Sequence, residues 1–227
     1  MERGHRAPVA TFYAPNLPPG GGEASLGELA AHHAIVRRLS AGDEVRITNG
    51  AGAMALGTIR HLAKGEMVAE LQSPDHIPRP SLVELLVPVA DRDRMLWLAE
   101  KCTELSVTVW QPVTFARSRS VVPRGEGEAF VAKVRARMVA ALEQSAGAWL
   151  PEVRRELPLD QAVATVTARA RYVLDRDGGR IDAPSADYGA AVVLGPEGGI
   201  YADEHALLRT AGWTRVKLAP TTLRFET

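Results

Sequence analysis

Residues 190–199 constrain the fold of this chain more than any other stretch of its sequence. The apolar run Ala190-Ala-Val-Val-Leu194 has the pattern of a short strand that is buried on both faces. Gly195-Pro-Glu-Gly-Gly199 reads as a tight turn, and residues 201–211 have the apolar spacing of a helix that ends before Gly212. We therefore predict a strand, a glycine turn and a helix, with backbone amides exposed where α/β sheets usually bind ligands.

The spacing of the glycines limits the ligands that this turn can take. Gly195-x-x-Gly198-Gly199 is neither the dinucleotide fingerprint nor a P-loop. Glu197 lies inside the turn, and its carboxylate would repel a phosphate brought against the same amides. A neutral or cationic ligand with hydroxyl and amino groups fits better. A structural turn without a ligand is the alternative that the residues leave open.

The end of the chain adds a second apolar strand, residues 215–219, and then Leu223-Arg224 and Glu226-Thr227. Together with residues 194–199, these features resemble the C-terminal half of the SPOUT methyltransferases and, more narrowly, the ribosomal small subunit methyltransferase E family. Residues 36–39, 101–105 and 143–145 match further segments of that family in the same order. The resemblance extends from about residue 10 to the end of the chain.

This resemblance implies methylation of uridine N3 in 16S ribosomal RNA of the small subunit, with S-adenosylmethionine as the methyl donor. It also implies a homodimer. The residues expected to enclose the donor are Leu194, Gly195, Pro196, Glu197, Gly198, Gly199, Leu218, Ala219 and Leu223. Arg224 is expected to stabilise charge on the uridine carbonyl oxygens, and Glu226 either acts as the base or holds Arg224 in place. From the residues alone, the two could equally form an exposed ion pair.

The hydrophobic pattern predicts an α/β protein with two domains. Residues 1–73 contain short strand patterns separated by turns, and they resemble the family's PUA-like, RNA-binding β-barrel. Residues 74–81 hold three prolines and are predicted to be a linker. Residues 82–227 alternate strand and helix patterns, which predicts a mostly parallel sheet, and the resemblance implies a SPOUT domain with a C-terminal trefoil knot. Within these domains we also predict a helix from Ser25 to Leu39, capped by Ser25, and a helix over residues 161–170.

RNA contacts are expected from local basic patches, because the 27 basic residues balance the 27 acidic ones. Arg37 and Arg38 at the end of the first helix either complement its dipole or bind phosphates, and the resemblance favours RNA. Arg117, Arg119 and Arg124 lie in a stretch without acidic residues, which fits a phosphate-contacting loop. A solvated basic loop is the alternative.

Other classes of protein are disfavoured by what the sequence contains. The only cysteine, Cys102, excludes an internal disulfide and lies on the apolar side of a helical pattern. The spacing of the histidines does not resemble a zinc site, so no metal is expected. No apolar run approaches the ~20 residues of a membrane span, and residues 1–6 lack the core of a signal peptide. We therefore expect a cytoplasmic protein that does not associate with membranes.

Two alternatives to the methyltransferase hypothesis remain. One is an RNA-binding protein of the same fold that does not bind the donor, because Ala219 replaces a family glycine and Thr221 replaces a family arginine. The family sequences also continue beyond the position of Thr227. The other alternative is a SPOUT methyltransferase that modifies a different position in RNA.

Overall fold

The computed structural model describes residues 9–120, 125–181, 189–219 and 221. The chain forms two compact units. The first consists of residues 1–79 and Val139–Leu150, and the second consists of Pro80–Met138 and Pro151–Thr227. The domain boundaries predicted from the sequence remain a prediction.

Among its described residues, the first unit has a mixed sheet, one complete helix and the last turns of a second helix. Its strands follow the order β1-β3-β4-β5-β2, with β6 paired to β4, and only the β1–β3 pairing is parallel among those described. The elements are β1 (Thr11–Tyr13), β2 (Gly22–Ser25), α1 (Gly27–Val36), β3 (Glu44–Thr48), β4 (Ala53–Ala63), β5 (Glu66–Leu71) and β6 (Asp75–His76).

Small residues let α1 lie close to this sheet. Ala30, Ala31 and Ala34 recur at helical spacing and are all buried in the core of the first unit. They share that core with large side chains of the strands, including Phe12 and Met67. The opposite face of α1 is therefore left exposed, and Leu29 and Val36 lie on it.

The prediction that Ser25 caps the first helix is wrong. Ser25 is the last residue of β2 and pairs with Val68 of β5, while the Leu26 N–H donates to the Met67 carbonyl at 2.8 Å. The helix begins at Gly27 after Leu26, and no side chain caps it. Pairing with β5 holds Ser25 in extended backbone, so the serine cannot cap a helix that begins two residues later.

The second unit is built on a parallel sheet. Its seven described strands follow the order β10-β8-β7-β12-β11-β13, with β9 paired to β8, and every pairing is parallel. This confirms the predicted α/β class with a mostly parallel sheet. The elements are β7 (Val83–Pro88), α2 (Arg92–Glu104), β8 (Val109–Thr114), a 3-10 helix (Ala116–Ser120), α3 (Glu128–Ser145), β9 (Glu152–Val153), β10 (Leu157–Pro158), α4 (Leu159–Ala164), β11 (Ala170–Arg180), β12 (Ala190–Val193), α5 (Ala202–Thr210) and β13 (Thr214–Lys217).

A buried carboxylate organises the amino-terminal edge of this sheet. Glu84 of β7 is fully buried and accepts the backbone N–H groups of Thr167 and Ala168 at 2.9 and 2.8 Å. Arg154 donates to its second oxygen at 3.3 Å. These three donors replace the water that would otherwise hydrogen-bond the buried carboxylate.

The predicted helix over residues 161–170 is only partly present, since α4 ends at Ala164 and Ala170 already belongs to β11. The Thr165 hydroxyl donates to the Ala162 carbonyl at 2.8 Å. Three β-branched residues, 165–167, then follow in succession, which disfavours helix. The amides of Thr167 and Ala168 bind Glu84 instead of continuing the helix.

The strand order determines which loops meet. β12 lies between β7 and β11, and β13 lies on the other side of β11. Because all these strands are parallel, the segments after β7, β8, β12 and β13 emerge at one edge of the sheet.

Within the described residues, no helix has both the length and the apolar character needed to cross a membrane.

Candidate active site

The glycine turn follows β12 at this carboxyl edge, as the sequence predicts. The Leu194 N–H donates to the Leu86 carbonyl at 3.0 Å, which extends the pairing with β7 by one residue. The Gly199 N–H then donates to the Pro196 carbonyl at 2.7 Å and closes a four-residue turn. Gly199 has φ +78°, a conformation that favours glycine. The strand, glycine turn and helix of residues 190–211 are thus confirmed.

The predicted donor-binding residues come from two segments of this edge. Residues 194–199 follow β12, and Leu218 and Ala219 follow β13, so the segments lie at the ends of the two strands that flank β11. Leu218 is 54% exposed, which leaves its side chain accessible to a ligand. Leu223, Arg224 and Glu226 lie outside the described residues.

Glu197 is paired with an arginine that the sequence did not single out. The Arg94 guanidinium contacts the Glu197 carboxylate, and both side chains are about half exposed. Arg94 is in the first turn of α2, where the Asp91 carboxylate accepts the N–H groups of Asp93 and Arg94 at 3.1 and 3.2 Å. The cap fixes the start of α2, and the adjacency of β7 and β12 brings Arg94 to the glycine turn.

Arg117 approaches the same turn from the 3-10 helix that follows β8. Its guanidinium carbon lies 4.2 Å from the centre of the Tyr201 ring, within the range of a cation–π interaction. Its aliphatic part lies against Gly198, where an added Cβ would come within 2.9 Å of Arg117 Cδ. Among the three arginines predicted to bind RNA in this region, the side chain of Arg117 is described, whereas Arg124 and the side chain of Arg119 are not.

One glutamate holds the two loops that carry these residues. Glu204 accepts the Tyr201 N–H through Oε2 and the Ala116 N–H through Oε1, both at 2.9 Å. The first bond satisfies an amide at the start of α5, and the second fixes the first residue of the 3-10 helix. Glu204 therefore sets where Arg117 lies relative to Tyr201.

In the first unit, the structure places Arg37 and Arg38 directly after α1, and both are exposed. Arg37 donates to Gln144 Oε1 at 3.4 Å. The preceding residue, Glu143, accepts the Tyr13 N–H at 2.8 Å through one carboxylate oxygen, and its other oxygen lies 3.5 Å from His33 Nδ1. The polar residues at the end of α3 therefore contact the end of α1 and the end of β1 within this unit.

The fold and the glycine turn define an α/β protein that binds a small ligand at the carboxyl edge of a parallel sheet, joined to a smaller β-rich unit. The sequence profile of an RNA methyltransferase domain matches residues 78–227, and the profile of an RNA methyltransferase PUA domain matches residues 30–72. The chain belongs to the RNA methyltransferase family. The family and the PUA-like N-terminal domain inferred from the motifs are thereby confirmed.

Individual relatives agree with this assignment. The chain is 28% identical over 229 residues to the ribosomal RNA small subunit methyltransferase E of Mycobacterium bovis, covering 95% of this chain and 86% of the relative. The solved structure of the Neisseria gonorrhoeae enzyme of the same name, bound to S-adenosyl methionine, has a TM-score of 0.84 at 24% identity, covering 96% and 92% of the two chains. A predicted RNA methyltransferase from Thermotoga maritima has a TM-score of 0.70 at 28% identity and the same coverage.

Proposed function

We propose that this protein transfers a methyl group from S-adenosylmethionine to N3 of a uridine in 16S ribosomal RNA. The observation that carries the proposal is the glycine turn at the carboxyl end of β12, in a chain that belongs to the RNA methyltransferase family. The names of the Mycobacterium and Neisseria relatives support the small-subunit RNA as substrate. The proposed division is a PUA-like domain over residues 1–73, a linker over 74–81 and the catalytic domain over 82–227.

The residues at this edge suit S-adenosylmethionine chemically. Gly198 is exposed after β12, and Arg117 occupies the side on which its Cβ would stand, so a ligand would approach the backbone of the turn from the other side. Arg94 already compensates the charge of the half-exposed Glu197 carboxylate, and the exposed Leu218 offers apolar surface for a purine ring. When bound, the donor supplies a methyl group on a sulfonium, which is already electrophilic. We propose that residues 194–199, Leu218, Ala219 and Leu223 enclose it.

The protein must then make the uridine nitrogen nucleophilic. N3 of a neutral uridine carries a proton near neutral pH, so the site needs a base or a cation that stabilises charge on the adjacent carbonyl oxygens. We propose Arg224 for the second task, because a guanidinium stays charged and presents a planar fork of donors. Glu226 removes the proton or orients Arg224. The rest of the catalytic effect is alignment of the nitrogen with the methyl group.

The RNA is proposed to bind through arginines of both units. Arg37 and Arg38 after α1, and Arg117, Arg119 and Arg124 after β8, are the candidates for phosphate contacts. The exposure of Arg37, Arg38 and Arg117 supports this role. Since the net charge of the chain is zero, these local patches have to supply the attraction for RNA.

A homodimer and a cytoplasmic location belong to the same proposal. Trp97 and Leu105 of the second unit are 48% and 77% exposed, and large apolar side chains at such exposure favour a protein contact. Light scattering is expected to give twice the chain mass for the native protein and the chain mass for Leu105→Glu. A monomeric native protein would refute the dimer.

The predicted trefoil knot includes residues outside the described ranges and stays a prediction.

The decisive experiment is methyl transfer to small subunits that lack the modification. The native protein is expected to transfer labelled methyl from S-adenosylmethionine to one uridine N3, located by mass mapping of the RNA. Arg224→Ala is expected to abolish transfer with unchanged circular dichroism, and Arg209→Ala, an exposed arginine of α5, serves as the matched control. RNA binding without donor binding would favour the non-catalytic alternative. Methylation of another position would leave the enzyme class intact and refute only the N3 assignment.

A further inference from the structure

The side chain of Arg117 lies across the glycine turn. An added Cβ on Gly198 would come within 2.9 Å of Arg117 Cδ, and one on Gly199 within 3.3 Å of a guanidinium nitrogen. The same guanidinium stacks on the Tyr201 ring at 4.2 Å, two residues after the turn. Arg117 thus contacts the turn and the residue that opens α5 at the same time.

The backbone beneath Arg117 is fixed on both sides. The preceding amide, Ala116 N–H, donates to Glu204, and the following residue, Ser118, is fully buried. The Ser118 N–H donates to the Phe115 carbonyl at 3.0 Å, and Phe115 is itself buried in the core of the second unit. The direction in which Arg117 leaves the 3-10 helix is therefore set by the fold.

We propose that Arg117 is a positioning residue that, with Tyr201, holds the Gly198–Gly199 turn in the conformation that receives the methyl donor. The inference rests on the proposed function of the turn and gives Arg117 a role beyond a phosphate contact. The bond from Gly199 N–H to the Pro196 carbonyl closes the turn, but glycines restrict the backbone little, so a contact from outside the turn adds to the selection of one conformation. The flat guanidinium between the turn and the Tyr201 ring supplies that contact.

The direction in which Kd for the methyl donor changes on removal of Arg117 distinguishes a positioning role from electrostatic repulsion of the donor. S-adenosylmethionine carries a net positive charge, so a bystander arginine near the turn would repel it, and removing that arginine would tighten binding. A positioning arginine has the opposite effect, because its loss lets the turn leave the binding conformation. The direction of the change in Kd therefore decides between the two.

The test is calorimetric titration of S-adenosylmethionine into the full-length protein. Arg117→Met and Tyr201→Ser are each expected to raise Kd about two- to five-fold, the effect of losing an exposed cation–π contact. The double variant should be no weaker than either single variant, because both remove one interaction. Tyr201→Phe keeps the ring and should bind like the native protein. Arg209→Met, on the exposed surface of α5, is the control for charge.

The Tyr201→Ser variant also separates weaker donor binding from a loss of stability. Serine is a good N-cap and tyrosine is not, so the cap that is gained offsets the cation–π contact that is lost, and the free energy of unfolding should change little while donor binding weakens. If the native protein binds the donor and the Arg117 and Tyr201 variants bind it equally well or more tightly, the positioning role is wrong and the proposed function stands. If the native protein does not bind the donor at all, the proposed function fails and the positioning role fails with it.

Discussion

Replacing Arg38 by glycine tests whether this residue is kept for RNA binding or for the fold. Arg38 follows α1 with φ +59°, a left-handed conformation that is costly for residues with a Cβ. Its N–H donates to the Ile35 carbonyl and the next N–H, of Leu39, to the Ala34 carbonyl, both at 2.9 Å. This is a Schellman motif, in which glycine is the usual residue at the position of Arg38.

The expected gain in stability follows from two opposed terms. The left-handed conformation costs an L-residue about 1–2 kcal/mol, and glycine avoids that cost. Glycine loses about 0.5–1 kcal/mol more than other residues in backbone entropy on folding. Arg38→Gly should therefore raise the free energy of unfolding by about 0.5–1 kcal/mol. If the arginine binds a phosphate, the same change should flatten the slope of log Kobs against log salt by about 0.7–0.9.

The matched control is Ser106→Gly. Ser106 follows α2 with the same φ of +59° and the same pair of hydrogen bonds, but no RNA contact is proposed for it. Urea unfolding should show a similar gain for both variants, and RNA titrations at several salt concentrations should show a smaller slope for Arg38→Gly alone. An unchanged slope for Arg38→Gly would show that Arg38 does not contact a phosphate. A loss of stability in both variants would refute the conformational argument.

Three further outcomes concern Glu84, Asp175 and Cys102 of the second unit. Glu84→Ala should lower the free energy of unfolding by about 2–4 kcal/mol in urea melts, because it leaves the Thr167 amide and the buried Ala168 amide without their acceptor. A loss smaller than the one caused by Arg154→Met would contradict this. Burial opposes ionisation of Asp175, but the Asp177 N–H and Arg215 outweigh it and lower the pKa of that carboxyl. Its ionisation thus stabilises the fold above about pH 4, and this contribution is lost as the pH falls through the lowered pKa. Arg215→Gln should therefore cost more stability at pH 6 than at pH 2, and an equal cost at both would contradict it. Burial raises the pKa of the Cys102 thiol to about 12, so thiol reagents at pH 8 should label it only after unfolding, and rapid labelling of the native protein would contradict its burial.

Much of the fold could be predicted because its signals are local. The apolar run and glycine turn of residues 190–199 identified β12, and the apolar spacing of residues 201–211 identified α5, both with small errors at their ends. Two-residue strands such as β6 and β9 carry no such signal. Ser25 shows the limit of local reasoning, since a capping pattern was present and pairing with β5 prevailed.

The candidate site could be predicted only in part, because its contacts depend on strand order. The glycine turn was visible in the sequence, but Arg94 meets Glu197 only because β7 lies beside β12. The approach of Arg117 to Tyr201 likewise depends on Glu204, which joins segments 88 residues apart. Membership of Val139–Leu150 in the first unit is a further long-range feature. None of these arrangements has a signature in a single sequence, since separation along the chain does not determine adjacency in a sheet.

The tyrosine at position 201 has a physical explanation once these contacts are known. Most helices would place serine or threonine there, and a capping side chain is worth about 0.5–2 kcal/mol. In this chain Glu204 accepts the Tyr201 N–H from within the helix, so one of the exposed amides is satisfied without a capping side chain. The cation–π contact with Arg117 is worth about 0.5–1 kcal/mol, which is similar to the cap that was given up. Stability therefore does not decide between the two residues. The two residues differ in what the side chain contacts. A serine would accept a backbone N–H of α5, whereas the tyrosine ring contacts Arg117, which lies against the glycine turn.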